Sequence, residues 1–249
     1  MTSIATFTFG SVQLTCELPA ASSSDDGALL FDDGELTGEP PFDDTGLCHI
    51  WPASLILCRW LEANRQEVKG ARVLEIGAGS GLPSLLCARL GAARVVAFDC
   101  NEAVVDRLQR GFAAANAGCI ASAQCLGWDD LDSFRALVSA EHFDLVLLAD
   151  CVYPMKDGSP LLAALATLLS NEPQEPQEPQ EPQEPQKRQQ PPHEPQVEHS
   201  PRGSPQQQPP RRPPLSILAA TSCRDPVVTQ SFVDGLHALP RASVEPREL

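Results

Sequence analysis

Apolar residues recur with two different periods along the chain, and these periods predict its secondary structure. Residues 4–18 alternate loosely between apolar and polar positions, which predicts one or two β-strands. From Ile50 to Leu61 the apolar residues recur near helical spacing, and Pro52 stands where a first helical turn tolerates proline. The chain is therefore expected to open with strands and to reach its first helix after a polar loop.

Beyond Gly70, short apolar strands alternate with helical segments. The predicted strands are 72–76, 94–98, 121–126, 143–149 and 215–221, and the predicted helices are 83–90, 102–115, 131–138, 161–169 and 228–239. Strands separated by helices at this spacing imply right-handed βαβ units. The continuous apolar run at 144–149 suits a central strand that is covered on both faces. The pattern predicts an α/β fold, doubly wound, with a mainly parallel sheet.

One proline-rich segment, residues 171–214, interrupts this alternation. It holds 14 of the 24 prolines and five consecutive Glu-Pro-Gln triplets. Proline at every third position removes backbone donors, which predicts a disordered insertion rich in Pro, Gln and Glu. It is either a spacer or a proline-rich ligand for a partner domain. The predicted parts are N-terminal strands with an acidic loop (1–46), a folded domain (47–170 and 215–249) and the insertion.

Charge and cysteine content narrow the classes of partner. The net charge of −15 argues against tight binding to nucleic acid. No Lys or Arg precedes Arg59, whereas nine acidic residues do. This acidic N-terminal arm is either a surface for a basic protein or a solvated loop. The nine cysteines have no metal-ligand spacing, which predicts no metal. Without a signal peptide or an apolar span, we expect a cytoplasmic or nuclear protein that does not engage membranes.

A glycine turn after the predicted strand 72–76 carries the candidate chemistry. Gly77, Gly79 and Gly81 alternate where the backbone must turn sharply and admit a ligand. The spacing does not fit the G-x-G-x-x-G fingerprint of dinucleotide binding, which disfavours a dehydrogenase. Asp99 ends the next strand, and its two carboxylate oxygens suit two ribose hydroxyls, with a simple helix cap as the alternative.

The glycine turn and three further segments resemble one enzyme family. The pattern E-x-G-x-G-x-G from Glu75 resembles motif I of class I (seven-β-strand) S-adenosylmethionine-dependent methyltransferases. The segments TGLCHIWPAS (45–54), LGWD (126–129) and ADCVY (149–153) are similar to hallmarks of the methyltransferase family 16, methyltransferase-like protein-lysine methyltransferase group. The resemblance spans residues 45–153 and, more weakly, 215–239. It implies a Rossmann-like methyltransferase domain with S-adenosyl-L-methionine as cofactor.

The resemblance also assigns residues to a site. Those implied to bind the cofactor are Trp51, Glu75, Gly77, Ala78, Gly79, Asp99, Trp128 and Ala149. Asp150 and Tyr153 are implied to be catalytic, since a carboxylate orients a lysine ammonium and an aromatic face attracts it. The alternatives are that both tryptophans are core aromatics and that Asp150 and Tyr153 order their loop. Cys151 is expected to pack and not to act as a nucleophile, because no partner histidine is identifiable.

The expected activity is transfer of a methyl group to a lysine of a protein by a monomeric enzyme. The rival hypotheses are a methyltransferase acting on arginine or on a small molecule, and a catalytically silent cofactor-binding or interaction protein. Class I methyltransferases complete their sheet with an antiparallel strand pair, and only residues 242–249 follow the last predicted helix. We therefore expect a sheet that lacks the final C-terminal hairpin.

Overall fold

The computed structural model describes residues 2–19, 30–32, 35–37, 50–152, 159–170, 215–221 and 226–239. The strands are β1 (Thr2–Phe9), β2 (Val12–Pro19), β3 (Leu30–Asp32), β4 (Glu35–Thr37), β5 (Arg72–Ile76), β6 (Arg94–Asp99), β7 (Ala121–Cys125), β8 (Leu145–Ala149) and β9 (Ser216–Ala220). The helices are α1 (Pro52–Ala63), α2 (Arg65–Val68), α3 (Leu82–Leu90), α4 (Glu102–Ala114), α5 (Leu131–Ala140), α6 (Ser159–Ser170) and α7 (Pro226–His237). None of these helices is long and apolar enough to cross a bilayer.

Five strands form one parallel sheet in the order β7-β6-β5-β8-β9. Within this sheet the chain enters at the central strand β5, continues outward through β6 to β7, and then crosses back to add β8 and β9 on the other side of β5. The predicted doubly wound α/β fold is therefore confirmed. The switch in direction lies between β5 and β8, and ligands of such sheets bind at the carboxyl ends of the strands that flank the switch. The expected lack of a final hairpin falls on residues 240–249, which lie outside the described part.

Helices cover both faces of this sheet. Val73 and Leu74 are fully buried neighbours in β5, yet they belong to different apolar clusters, because successive strand residues point to opposite faces. Val73 packs in the cluster that α1, α3 and α4 supply, and Leu74 packs in the cluster that α5, α6 and α7 supply. Two covered faces explain why all five residues of β8 are apolar and buried.

A β-hairpin of β1 and β2 packs on the first of these clusters. Gly10 turns the chain between the two strands with a φ of +54°. Phe9, Leu14 and Cys16 are buried together with residues of α1, α3 and α4. The sequence predicted one or two strands here. The short pair β3–β4 and the single turn of α2 were not predicted, because three or four residues are too few to show a period.

Ion pairs join the amino ends of the strands, at the edge of the sheet opposite the carboxyl ends. Arg72 of β5 and Arg94 of β6 both pair with Glu141, at 2.9 Å and 3.2 Å. The Arg72 N–H donates to Asp144 Oδ2 at 2.8 Å. These contacts connect β5, β6 and the entry to β8, so they help to fix the register in which the strands end.

Candidate functional site

Most of the residues assigned to the site lie at the carboxyl edge of the sheet. Ile76 pairs in register with Phe98 of β6 and with Leu148 of β8, so these three strands end side by side. Gly77 follows β5 directly, and Asp99 is the last residue of β6. The parallel register therefore brings together side chains that are far apart in sequence.

The glycine turn has a backbone that favours glycine. The φ angles of Gly77, Gly79 and Gly81 are +64°, +49° and +67°, a region that residues with a Cβ rarely adopt. A Cβ on Gly77 would lie 3.0 Å from Trp128 Cζ3 and 3.1 Å from Cys151 Sγ. At its glycines the turn therefore presents backbone atoms without side chains, and it lies between the segments that follow β7 and β8.

Asp99 ties this turn to the start of α4. Its Oδ2 accepts the N–H of Gly79 at 3.0 Å, and its Oδ1 accepts the N–H of Asn101 at 3.0 Å. The N-cap of α4 is Asn101, whose side chain accepts the N–H of Ala103, so Asp99 is not the cap of that helix. A carboxylate has about four acceptor sites. Asp99 therefore keeps acceptor capacity on both oxygens, which fits a pair of ribose hydroxyls.

Glu75 lies beneath the turn. It is 1% exposed, and its Oε2 accepts the N–H of Ser84 at 3.0 Å. Ser84 is the third residue of α3, so the carboxyl group satisfies one of the helix's unpaired N–H groups. Burial, reinforced by the charge of Asp99, raises the pKa of Glu75 to about 8, although the contacts with Ser84 lower it. Glu75 thus holds the turn against α3 from inside the core.

The two tryptophans of the predicted site are both partly buried. Trp51 precedes α1, and its carbonyl oxygen accepts the N–H of Ser54 at 2.9 Å. Trp128 packs on the cluster beneath α5, α6 and α7 and beside Gly77. Trp128 therefore contributes to packing at the turn and also keeps an exposed surface. Their contacts with a cofactor stay predictions.

The segment after β8 completes the edge. Ala149 is buried, and Asp150 has a φ of +57° with its N–H donating to the carbonyl oxygen of Ala220 at 2.8 Å. Such backbone is rare outside glycine and is concentrated at functional sites. The Cys151 thiol lies 3.1 Å from the carbonyl oxygen of Ile76, and burial raises its pKa, which agrees with packing. Tyr153 lies outside the described residues.

Sequence reasoning missed two residues that organise this edge. Asn101 caps α4, and an Asn directly before Glu102 is a signal that was available. Ser84, the partner of Glu75, had no such signal, because nothing in its neighbourhood indicates that it is buried. Across the described ranges, no group of three or more His, Cys, Asp or Glu side chains is arranged to hold a metal ion.

Comparison with known proteins identifies the same family as the motifs. The Lysine methyltransferase family matches residues 35–176. The protein N-terminal and lysine N-methyltransferase EFM7 of Yarrowia lipolytica is 30% identical over 141 residues, which cover 49% of this chain and 52% of that protein. The histone-arginine methyltransferase METTL23 of Xenopus laevis is 28% identical over 128 residues, which cover 51% of this chain and 53% of that protein. The chain spans about half the length of these relatives.

One solved structure illustrates the structural likeness. The 16S rRNA N2 G1207 methyltransferase of T. thermophilus, in complex with AdoMet and guanosine, aligns with 69% of this chain and 39% of its own. The TM-score is 0.45 and the sequence identity is 22%. The family match covers more than half of the sequence and supports the predicted cofactor, S-adenosyl-L-methionine. On this match, the chain belongs to the Lysine methyltransferase family.

Proposed function

We propose that this protein is an S-adenosylmethionine-dependent N-methyltransferase that methylates lysine in a protein substrate. The observation that carries the proposal is the carboxyl edge of the sheet, where a bare glycine turn is tied to Asp99 and flanked by Trp128. This arrangement lies beside the switch point, and it falls within the segment that the family matches.

The residues at this edge fit the chemical parts of the cofactor. The backbone of Gly77, Ala78 and Gly79 lines the methionine part, and Asp99 accepts the ribose hydroxyls. Trp51 covers the methionine end, Trp128 flanks the adenine, and Ala149 offers a backbone contact, while Glu75 supports the turn from below. The bound cofactor supplies an activated methyl group on a sulfonium sulfur.

The lysine end of the reaction is assigned to Asp150 and Tyr153. The Asp150 carboxylate orients the substrate ammonium and helps it to lose a proton, because the amine attacks only in its neutral form. The aromatic face of Tyr153 attracts the cationic amine. Aligning the nitrogen with the methyl group accounts for most of the acceleration, and no covalent enzyme intermediate is needed.

Charge at the carboxyl end of the sheet favours a basic protein substrate. The acidic side chains that follow the carboxyl ends of the strands are Asp99, Glu102, Asp129, Asp130, Asp132 and Asp150. The amino ends carry both signs of charge, because Arg72 and Arg94 pair there with Glu141. Arg135 lies near the acidic end, but it pairs with Asp132 at 2.9 Å. An acidic rim attracts a Lys-rich segment and repels the phosphates of nucleic acid.

Arginine is the second candidate acceptor. One relative is named a histone-arginine methyltransferase, and the edge residues described above suit either cationic side chain. Both acceptors need the same cofactor site, so they differ only in the product.

Incubation of the purified chain with methyl-tritiated S-adenosylmethionine and a protein extract tests the proposal. We expect label in methyl-lysine after acid hydrolysis, and we expect Asp150→Ala to lose most of it while still binding the cofactor. Label in methyl-arginine would favour the second candidate. A folded chain that binds the cofactor and labels nothing would contradict the proposal.

A further inference from the structure

Glu75 is a buried carboxyl group with little to stabilise a negative charge. It is 1% exposed, and within the described chain its one hydrogen bond comes from the N–H of Ser84 to Oε2. No Lys or Arg of the described ranges forms an ion pair with it. An isolated charge in a core is so costly that such groups become neutral instead.

The Ser84 side chain offers what a neutral acid needs. Ser84 is fully buried, and its Oγ has no hydrogen-bond partner among the atoms of the described residues. The side chain nevertheless belongs to the residue whose N–H binds Glu75 Oε2 at 3.0 Å, so it lies close to the carboxyl group. A protonated carboxyl has an O–H donor, and a serine hydroxyl has two acceptor lone pairs. The same hydroxyl could donate to an ionised carboxyl group, which is why it lowers the pKa of Glu75, but burial outweighs this effect, and toward a protonated carboxyl group the hydroxyl can accept instead.

No Lys or Arg is among the described groups that are known to interact with Glu75. The described groups that interact with it electrostatically are four thiols and one carboxylate: Cys16 of β2, Cys58 of α1, Cys87 of α3, Cys151 after β8 and Asp99 of β6. Burial raises the pKa of all four thiols, that of Cys16 to about 12, so they stay protonated. Arg107 of α4 acts on Cys16. The carboxylate of Asp99 disfavours a second negative charge.

We propose that Glu75 is a neutral acid in the folded protein, that its O–H donates to Ser84 Oγ while Oε2 accepts the Ser84 N–H, and that this pair holds the glycine turn in its ligand-binding shape. Glu75 and Ser84 are then positioning residues, because neither needs to touch the ligand. The raised pKa of Glu75, about 8, agrees with this arrangement. The part of the proposal that concerns ligand binding rests on the proposed function.

The pair makes ligand binding depend on a proton. When Glu75 ionises, its proton passes to solvent, the carboxyl group can no longer donate to Ser84 Oγ, and a buried charge remains beneath the turn. If only the neutral form binds well, apparent affinity scales with the neutral fraction, which is about one tenth at one pH unit above the pKa. Affinity for S-adenosylhomocysteine is therefore expected to fall about tenfold between pH ~7 and pH ~9.

Infrared spectroscopy of the ligand-free protein tests the protonation directly. We expect a protonated-carboxyl C=O band at neutral pH that is absent from Glu75→Gln and disappears in the wild type as the pH rises through about 8. Ser84→Ala removes the acceptor, so the band should move to higher frequency. The matched control, Ser80→Ala, removes a hydroxyl from the same turn and should leave the band in place. The pH titration of the wild type needs no variant to fold.

Binding of S-adenosylhomocysteine over the same pH range tests the consequence. The ligand's own amine titrates equally with every variant, so the ratio of wild-type to Glu75→Gln affinity is the readout, and we expect it to fall at alkaline pH. A missing acid band, or a band that Ser84→Ala leaves unmoved, would overturn the proposal. If the protein shows the band but binds no ligand, the proposed function fails while the protonated pair stands.

Discussion

Replacing Gly77 with alanine separates two reasons for glycine in the turn. The first reason is backbone conformation, because its φ is +64°. The second is crowding, because the new Cβ would lie 3.0 Å from Trp128 Cζ3 and 3.1 Å from Cys151 Sγ. Gly70 is a matched control: its φ is +79°, and a Cβ there meets nothing within 4 Å.

The magnitudes follow from these two reasons. A left-handed backbone costs an alanine about 1–2 kcal/mol, and both variants carry this cost. Forcing a methyl group into a packed site costs about 1–3 kcal/mol more, and only Gly77→Ala carries that cost. We therefore expect the free energy of unfolding of Gly77→Ala to lie below that of Gly70→Ala by about 1–3 kcal/mol.

Urea denaturation measures the stabilities, and calorimetry with S-adenosylhomocysteine measures the affinities. Crowding displaces Trp128 and the segment after β8, so Gly77→Ala should bind at least about tenfold more weakly, whereas Gly70→Ala should bind as the wild type does. Adding Cys151→Ala to Gly77→Ala should restore part of the lost stability. Equal stability and equal affinity for the two glycine variants would refute the assigned packing around the turn.

Three further predictions concern the core and the opposite edge. Burial raises the pKa of Glu75 from 4.5 to about 8, so between these two pH values the folded state holds a proton that the unfolded state has lost. The free energy of unfolding should therefore fall as the pH rises through this window, by up to about 1.4 kcal/mol per pH unit. Urea titrations of Glu75→Gln should show a flatter dependence on pH. Thiol labelling of the native protein, mapped by mass spectrometry, should modify the exposed Cys100, Cys119 and Cys125 quickly and Cys16, Cys58, Cys87 and Cys151 only after unfolding; fast labelling of the latter four would contradict the assigned core. Glu141→Ala leaves Arg72 and Arg94 without their shared partner, so it should lower the free energy of unfolding by about 1–3 kcal/mol. Cofactor affinity should not change. A loss of affinity would mean that the two edges of the sheet are coupled.

The alternation of strands and helices was predictable because each element is long enough to show its period. Several boundaries differ from the prediction by one or two residues. Helix α3 begins at Leu82 and not at Pro83, since the left-handed Gly81 ends the turn one residue earlier. Strand β8 begins at Leu145, two residues later than predicted. The residue before it, Asp144, accepts the backbone N–H of Arg72 with its side chain.

The candidate site was predictable where it depends on one local motif and on the order of the strands. The glycine turn and Asp99 are close in sequence, and parallel strands end at one edge. The depth of Glu75 was not predictable, because it depends on four elements that surround it from distant parts of the chain. Cys16 and Cys151 both interact electrostatically with Glu75, although 135 positions separate them in the sequence. Ser84 was missed for the same reason.

Calorimetric titration with S-adenosylhomocysteine tests the central claim most directly, with the wild type beside Asp99→Ala, Gly79→Arg and the opposite-edge control Glu141→Ala. The account predicts binding by the wild type and by Glu141→Ala, and loss of binding by the first two variants, because Asp99 Oδ2 and the Gly79 N–H together shape the turn. A folded wild-type chain that binds no S-adenosylhomocysteine would contradict the claim that this edge of the sheet is a cofactor site.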